Sequence, residues 1–260
     1  GGSMLLEGIQ RRGDSFIFNF DNDGEKESIK LNEDIRKSAI YDNVFYYAYE
    51  FGGHVDSNVK SKFIHDLKFP SGMREIDKER FMRAAVNKFC QHENLYNFDC
   101  IVFPQSESEI VIKMLEYIAN GCNADIASYN MVKRLPKDIE FDYRRFELFC
   151  ERTKKYTDSQ KKEVLENIKE MMDKIHDLDY FSIARNSKYK YRQYLKNFYE
   201  FPDKETEESY KSVTNKKVLL IDDIATSGTT IQMLLRSLNS LATKEIVVFS
   251  LIVNENIGSI

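Results

Sequence analysis

The region from residue 217 to residue 253 constrains the fold of this chain most. It opens with a continuous apolar run over 217–221, which lacks the alternation of a half-exposed strand and is typical of a parallel strand covered on both faces. Two acids and a small, hydroxyl-rich loop follow at 222–230, and apolar residues then recur at helical spacing as far as Leu238. A second apolar strand follows at 245–253. Strand, loop, helix and strand predict a right-handed βαβ crossover within an α/β sheet.

Two further segments predict regular elements of the same α/β class. Residues 98–103 form a short, apolar, β-rich run, which is followed by a polar loop and by a helical pattern over 110–118. Residues 157–178 predict an amphipathic helix that opens with a capping box formed by Thr157 and Gln160. The apolar stripe of this helix is typical of core packing.

The N-terminal third predicts a hairpin and helices. Alternating residues on either side of the turn-forming segment 21–24 predict two strands within 15–31. Helical spacing predicts helices over 35–51, 58–67 and 73–89. We therefore expect residues 1–97 to form a hairpin and helices packed on a core of 98–260, which carries a helical insertion at about 137–190. Residues 1–3, ahead of Met4, are typical of a tag remnant.

Composition argues against several classes of protein. No apolar run reaches the roughly 18 residues that span a bilayer, so we expect a soluble, cytoplasmic protein without a membrane partner. The four cysteines lack a C-x-x-C pair and the four histidines are scattered, which argues against a transition-metal site and favours reduced, buried thiols. The net charge of −4 makes nucleic acid a secondary hypothesis, although Lys and Arg cluster over 185–196.

The acids and the loop of 222–230 carry the chemistry. Asp222 and Asp223 follow a buried strand, where α/β folds bind ligands, and we expect them to be exposed. The loop can turn at Gly228 and direct amides and hydroxyls at an anion beside a helix N-terminus. Carboxylates accept hydrogen bonds from vicinal hydroxyls, so the two halves together suit a sugar phosphate. The loop is neither a Walker A motif nor a G-x-G-x-x-G motif.

Residues 218–230 resemble the 5-phosphoribosyl-1-pyrophosphate (PRPP) motif of type I phosphoribosyltransferases. The resemblance implies a central, mostly parallel sheet flanked by helices, with Asp222 and Asp223 as catalytic residues that contact the ribose hydroxyls. The implied 5-phosphate loop is Ala225, Thr226, Ser227, Gly228, Thr229 and Thr230.

Weaker similarities point to the branch that resembles the competence protein ComF. They lie in residues 58–72 and 98–108 and in the spacing of Arg192, Asn197 and Phe201 ahead of the motif. The chain departs from that branch because it has no N-terminal four-cysteine zinc module and carries extra residues at about 137–190. The acceptor substrate therefore does not follow from the resemblance.

The pyrophosphate of PRPP needs hydrogen-bond donors opposite the ribose. Gln105, Ser106 and Ser108, with their backbone amides at a helix start, can supply them, and an ordinary helix cap is the alternative. The basic run offers a mobile lid over the leaving group, because cations stabilise developing negative charge once water is excluded. The lid residues are Arg185, Lys188, Lys190 and Arg192. A solvated face, or an RNA surface that stacks bases on Tyr189, Tyr191 and Tyr194, is the alternative.

The expected reaction displaces pyrophosphate from C1 of magnesium-bound PRPP by a nitrogen nucleophile. Mg²⁺ is expected to be held by substrate oxygens and water without direct protein ligands. Two alternatives stay open: a non-catalytic PRPP or nucleotide sensor that uses 137–190 to signal occupancy, and a nucleic-acid accessory protein that uses 185–196. The acceptor base or amine also stays open, as does the oligomeric state, including a homodimer.

Overall fold

The computed structural model describes residues 4–6, 9–13, 15–18, 36–40, 43–51, 56–202, 206–225 and 229–253. The strands are β1 (Met4–Leu6), β2 (Ile9–Arg12), β3 (Ser15–Phe18), β4 (Arg36–Ile40), β5 (Asn43–Glu50), β6 (Cys100–Pro104), β7 (Ser128–Lys133), β8 (Glu140–Phe141), β9 (Leu195–Lys196), β10 (Tyr199–Glu200), β11 (Lys217–Ala225) and β12 (Glu245–Val253). The helices are α1 (Ser57–Lys68), α2 (Glu75–His92), α3 (Glu109–Glu116), α4 (Tyr143–Thr153), α5 (Asp158–His176), α6 (Ile183–Asn186), α7 (Thr206–Val213) and α8 (Thr229–Asn239).

A seven-stranded sheet in the order β10-β7-β6-β11-β12-β5-β4 forms the centre of the protein. The inner strands from β7 to β5 are parallel to their neighbours, whereas β10 and β4 pair antiparallel at the two edges. In a second sheet β2 pairs with both β1 and β3, and in a third sheet β8 pairs with β9. The predicted α/β class and the mostly parallel central sheet flanked by helices are confirmed.

Hydrophobic clusters cover both faces of this sheet. Leu219 and Ile221 of β11 belong to one cluster, which includes residues of α1, α2 and α3. Val218 and Leu220 belong to the other, which includes residues of α4, α5 and α8. Because neighbouring residues of a strand point to opposite faces, this division explains the unbroken apolar run that begins β11.

The predicted helix over 35–51 is wrong. The chain forms β4 and β5 there, and β5 runs beside β12 with Phe45 opposite Val248. Aromatic and β-branched side chains favour strands, and burial on both faces of β5 produces apolar spacings that mimic a helical period. Tyr49 then stacks on Phe81 of α2 with a centroid separation of 4.0 Å, so aromatic packing joins this strand to the helix above it.

The N-terminal hairpin prediction is confirmed in part. Residues 15–18 form β3, whereas the turn at 21–24 and the second predicted strand lie outside the described residues. The described partner of β3 is the preceding strand β2, and Gly13 between them has a φ of +62°. Glycine adopts this left-handed conformation without the steric cost that a Cβ would bring.

The predicted helices over 58–67, 73–89, 110–118 and 157–178 are confirmed as α1, α2, α3 and α5. Thr157 and Gln160 make both hydrogen bonds of the predicted capping box. The strands predicted at 98–103 and 245–253 are β6 and β12. Cys100 and Cys150 are buried as expected, but Cys90 and Cys122 are half-buried, and all four thiols are free. None of the described helices is long and apolar enough to cross a bilayer.

Candidate functional site

The two predicted catalytic acids lie inside the central strand rather than after it. β11 continues to Ala225, so Asp222 and Asp223 occupy its carboxyl-terminal part. Asp222 stands opposite Ser250 of β12, and the hydroxyl of Ser250 donates to the backbone oxygen of Asp223 at 3.1 Å. The expectation of exposed acids is wrong: Asp222 is 6% exposed and Asp223 is 3% exposed. Burial by the neighbouring strands and covering helices makes the charge of these two side chains costly.

One carboxylate oxygen of each acid accepts a hydrogen bond from a backbone N–H. Oδ1 of Asp222 accepts from the N–H of Asp223 at 2.8 Å, and Oδ1 of Asp223 accepts from the N–H of Ile224 at 2.7 Å. Oδ2 of Asp223 is buried and accepts no hydrogen bond from the described residues. A buried carboxylate oxygen without a hydrogen bond is unusual.

The two carboxylates interact electrostatically. Burial, followed by the charge of Asp223 and a side-chain hydrogen bond with it, raises the pKa of Asp222 well above its usual range. The hydrogen bond from the Asp223 amide and the charge of Lys68 act in the opposite direction. Asp222 therefore favours its protonated form at pH values where an exposed aspartate is ionised.

Lys68 completes this acid pair and was missed in the sequence. It is the last residue of α1, and its Nζ lies 3.5 Å from Oδ2 of Asp223. Its side chain is 27% exposed, so the ammonium stands between the buried acid and the surface. The sequence allows the expectation that a cation lies near the two acids, but it does not identify Lys68, because Lys68 is far from the acids along the chain.

The loop between β6 and α3 places the predicted pyrophosphate residues beside β11. Gln105 and Ser106 are exposed, and Ser108 is buried. The N–H of Gln105 donates to Met131 of β7 at 2.7 Å and that of Ser108 donates to Oγ of Ser106 at 3.1 Å. Two of the three backbone amides that were expected to bind an anion therefore donate hydrogen bonds within the protein, and the pyrophosphate contacts stay a prediction. Oγ of Ser108 makes no capping hydrogen bond to α3, and it is buried without a partner among the described residues.

The predicted 5-phosphate loop is described only at its ends. Thr226, Ser227 and Gly228 lie outside the described residues. Ala225 is buried at the end of β11, and α8 begins at Thr229. The loop thus joins the acid-bearing strand directly to a helix N-terminus.

Thr230 and Asp222 both lie near Tyr199, which is the first residue of β10. Thr230 is exposed and shares a side-chain hydrogen bond with Tyr199. Burial, together with the charge of Asp222, raises the pKa of Tyr199 to about 12, so this phenol stays neutral. Tyr199 was missed because β10 has only two residues and its position depends on pairing with β7.

The described contacts of the four predicted lid residues are with residues other than Asp222 and Asp223. Arg185 is exposed and lines two adjoining grooves against α5, of about 430 Å³ and 240 Å³, whereas the exposed Lys188 lines only the smaller one. Lys190 is exposed. Arg192 is half-buried, and its Nε and one terminal nitrogen donate to Oγ and O of Ser187, each at 3.1 Å. No described contact tests closure over a ligand, so the lid stays a prediction.

The tyrosines of the same run have unequal exposure. Tyr189 is 85% exposed, with the guanidinium of Arg192 5.6 Å from its ring centre. Tyr191 and Tyr194 are buried in the core with Phe141 and Phe146. Bases could therefore stack on only the first of the three tyrosines without unpacking the core.

Two further cations end the strand beside β6. Lys133 is the last residue of β7, and its Nζ donates to the hydroxyl of Tyr180 at 3.2 Å. Arg134 follows, and its Nε lies 3.5 Å from a carboxylate oxygen of Glu200. The carboxyl ends of parallel strands meet at one edge of a sheet, so Lys133 and Arg134 share that edge with the acid pair and with the loop after β6.

Comparison of the sequence with models of known protein families gives no match, and comparison with curated proteins gives none either. Functional assignment therefore depends on the chemistry of the residues that the fold brings together.

Proposed function

We propose that this chain binds magnesium-PRPP and transfers the phosphoribosyl group to a nitrogen nucleophile, with release of pyrophosphate, on a fold like that of type I phosphoribosyltransferases. The observation that carries the proposal is the buried acid pair at the carboxyl end of the central parallel strand. Asp223 keeps one carboxylate oxygen without a hydrogen bond to the described residues. Ligands of open α/β sheets bind at this end of the strands.

The acid pair suits a ribose. Vicinal hydroxyls donate hydrogen bonds, and the carboxylates of Asp222 and Asp223 accept them. The loop after β11 leads into α8, so a 5-phosphate at that loop would lie at the N-terminus of a helix, where anions are stabilised. Thr230, the second residue of α8, has an exposed side chain. The acids and the loop would thus contact the two ends of a ribose 5-phosphate.

Pyrophosphate requires positive charge and donors on the other side of the ribose. Ser106 and Ser108 follow the neighbouring strand β6, and the hydroxyl of Ser108 has no partner among the described residues. Lys133 and Arg134 lie at the end of the next strand, β7, and Lys68 lies against Asp223. These side chains supply the cations and hydroxyls that a highly anionic leaving group needs.

Mg²⁺ fits this arrangement as a companion of the substrate. It prefers six oxygen ligands and keeps several waters, so two carboxylates would hold it through water or share it with substrate oxygens. Oδ2 of Asp223 has Lys68 as an ion-pair partner but no hydrogen bond from the described residues, so it is a suitable acceptor for such a hydrated ion or for a ribose hydroxyl. When bound with PRPP, Mg²⁺ would neutralise charge on the pyrophosphate.

The chemistry is a displacement at C1 of the ribose. The bond from C1 to the pyrophosphate oxygen breaks, a bond from C1 to the acceptor nitrogen forms, and that nitrogen loses a proton. Positive charge develops on the ribose, and the acid pair stabilises it. The remaining work of the protein is to orient the reactants and to exclude water.

Calorimetry and thermal unfolding with magnesium-PRPP test this proposal. A ligand that binds only the folded state at 100 times its Kd stabilises that state by about 2.7 kcal/mol. Release of pyrophosphate in the presence of a panel of bases and amines then separates a transferase from a sensor, because a sensor binds PRPP without turnover. Absence of both heat and thermal shift at about millimolar PRPP would contradict the proposed site.

A further inference from the structure

Lys78 is a buried lysine that takes no part in the proposed reaction. It lies on α2 with a side chain that is only 3% exposed. Its Nζ donates to the backbone oxygen of Phe69 at 2.9 Å and lies 3.2 Å from Oε1 of Glu75. Burying an ammonium is costly unless it is paired and hydrogen-bonded, so the position of this amine is closely specified.

The acceptor of this hydrogen bond directly follows the cation of the proposed site. Phe69 is the C-cap of α1, and Lys68 is the last residue of that helix. A cation at a helix C-terminus stabilises the terminal carbonyls. Lys78 therefore fixes the carbonyl of Phe69, the residue that follows Lys68, and the Lys68 ammonium lies 3.5 Å from Oδ2 of Asp223.

A second contact extends the connection to α3. Oε2 of Glu75 accepts from Nζ of Lys113 at 2.5 Å, and Lys113 belongs to α3. The hydrogen bond from Lys113, with a further contribution from Lys78, lowers the pKa of Glu75, so this carboxylate stays ionised between the two ammonium groups. The same helix begins next to Ser108, in the second loop of the proposed site.

We propose that Lys78 is a positioning residue, which holds the turn after α1 so that Lys68 lies against Asp223. Glu75 and Lys113 join that turn to α3, so the cation beside the acid pair and the loop after β6 keep a fixed relative position. This inference rests on the proposed PRPP site, because it assigns the network a purpose in arranging that site. A purely structural network would stabilise the protein without setting the environment of Lys68.

Side-chain NMR and calorimetry on four variants test this role. Lys78→Met removes the amine and keeps an apolar stem of similar length, whereas Lys78→Arg keeps a charged donor. Lys113→Met breaks only the outer link of the network. Lys62→Met is the matched control, since it removes an ion pair with Asp66 from the same helix α1 but leaves the turn intact.

The first measurement is the Nζ resonance of Lys68 in protein that carries ¹³C,¹⁵N-lysine, assigned by its loss in Lys68→Arg. In Lys78→Met we expect this resonance to move to the position of exposed lysines. In Lys78→Arg and Lys62→Met it should stay near its original position. A resonance unchanged in both Lys78→Met and Lys113→Met would overturn the inference, whatever happens to the melting temperature.

The second measurement is the affinity for magnesium-PRPP. Lys78→Met should weaken it about tenfold, because displacement of a binding group by about 1 Å has a large effect. Lys113→Met should weaken it about twofold to threefold, since the bond from Lys78 to Phe69 persists. If the wild type binds no PRPP, the proposed function fails, and the resonance of Lys68 still decides whether Lys78 positions it. If Lys78→Met does not fold, Lys113→Met replaces it in both measurements: a smaller shift of the Lys68 resonance in the same direction supports the inference, and an unchanged resonance overturns it.

Discussion

Asp222 accepts the backbone N–H of Asp223 at 2.8 Å, so the first acid of the pair fixes the second. Asp223 in turn accepts the N–H of Ile224, which leaves its other oxygen directed at Lys68. Local hydrogen bonds therefore order both acids, whereas the charged partner of Oδ2 of Asp223, Lys68, comes from a helix that is distant in the sequence. A substitution that keeps the local hydrogen bonds should therefore preserve the fold while it changes ligand binding.

Asp223→Asn should weaken binding of magnesium-PRPP by about 1.5 to 3 kcal/mol, the range of a hydrogen bond to a charged group. Asp222→Asn should weaken it by about 0.5 to 1.5 kcal/mol, the range of a neutral hydrogen bond, because Asp222 favours its protonated form. Asparagine retains the oxygen that accepts the backbone N–H, so the fold should persist. Calorimetric titration measures the loss. Asp99→Asn is the matched control, because Asp99 accepts from the N–H of Lys217 at the opposite end of β11. Unchanged affinity in both site variants would refute the assigned ribose contacts.

The stability of the protein should depend on pH through Asp222. Burial and the neighbouring Asp223 raise its pKa in the folded chain, so the folded state binds more protons than the unfolded state between the two pKa values. The contribution of Asp222 to the free energy of unfolding therefore decreases as pH rises above about 4, by up to about 1.4 kcal/mol per pH unit.

Urea unfolding of the wild type and of Asp222→Asn between about pH 4.5 and 7.5 measures this contribution. Asparagine does not titrate, so the variant should become progressively more stable than the wild type as pH rises. A difference in unfolding free energy that stays constant over this range would show that Asp222 ionises normally.

The four predicted lid residues should separate into one structural cation and three exposed ones. Arg192→Gln should lower the unfolding free energy by about 1 to 3 kcal/mol, because it removes the charge-assisted hydrogen bonds to Ser187. Replacing Arg185, Lys188 and Lys190 together by Gln should change stability by no more than about 0.5 kcal/mol per site. Denaturant titration measures both.

Turnover of the triple Gln variant then tests the predicted lid. If these cations cover pyrophosphate, turnover or PRPP protection of 185–196 from proteolysis falls although stability is kept. Loss of salt-sensitive RNA or DNA binding, with unchanged PRPP chemistry, would favour the nucleic-acid hypothesis and refute the lid.

The start of α5 offers a test that is independent of function. Thr157→Ala removes the hydroxyl that accepts from the N–H of Gln160 and should cost about 1 kcal/mol of stability. Ser159→Ala, two residues further along in the exposed first turn, is the control and should have little effect. Equal melting temperatures for the two variants would indicate that the cap contributes nothing.

Much of the fold could be predicted because several segments carry strong local signals. The apolar run of β11, the capping box of α5 and the spacing in α1 and α2 each specify an element without reference to distant residues. The helix predicted over 35–51 failed because β5 is buried on both faces and its aromatic residues occur at ambiguous intervals. Only its neighbour β12, from the other end of the chain, resolves that ambiguity.

The candidate site could be predicted only where local sequence marks it. Asp222 and Asp223 directly follow the apolar run of β11, and that adjacency is visible in the sequence. Lys68 and Tyr199 are brought to the acids by tertiary packing and by strand order, which local patterns do not encode. Their burial also depends on that packing, which is why acids expected at the surface proved to be covered.

The strand order has a consequence for how the chain folds during synthesis. β11 and β12 lie between β6 and β5, although they are synthesised after all the other described strands. Among the described strands, β5 until then has only β4 beside it and β6 has only β7, so we expect the nascent chain to carry two separate half-sheets with apolar edges. The central sheet can close only after residue 253 has emerged, and the nascent chain exposes apolar surface until that moment.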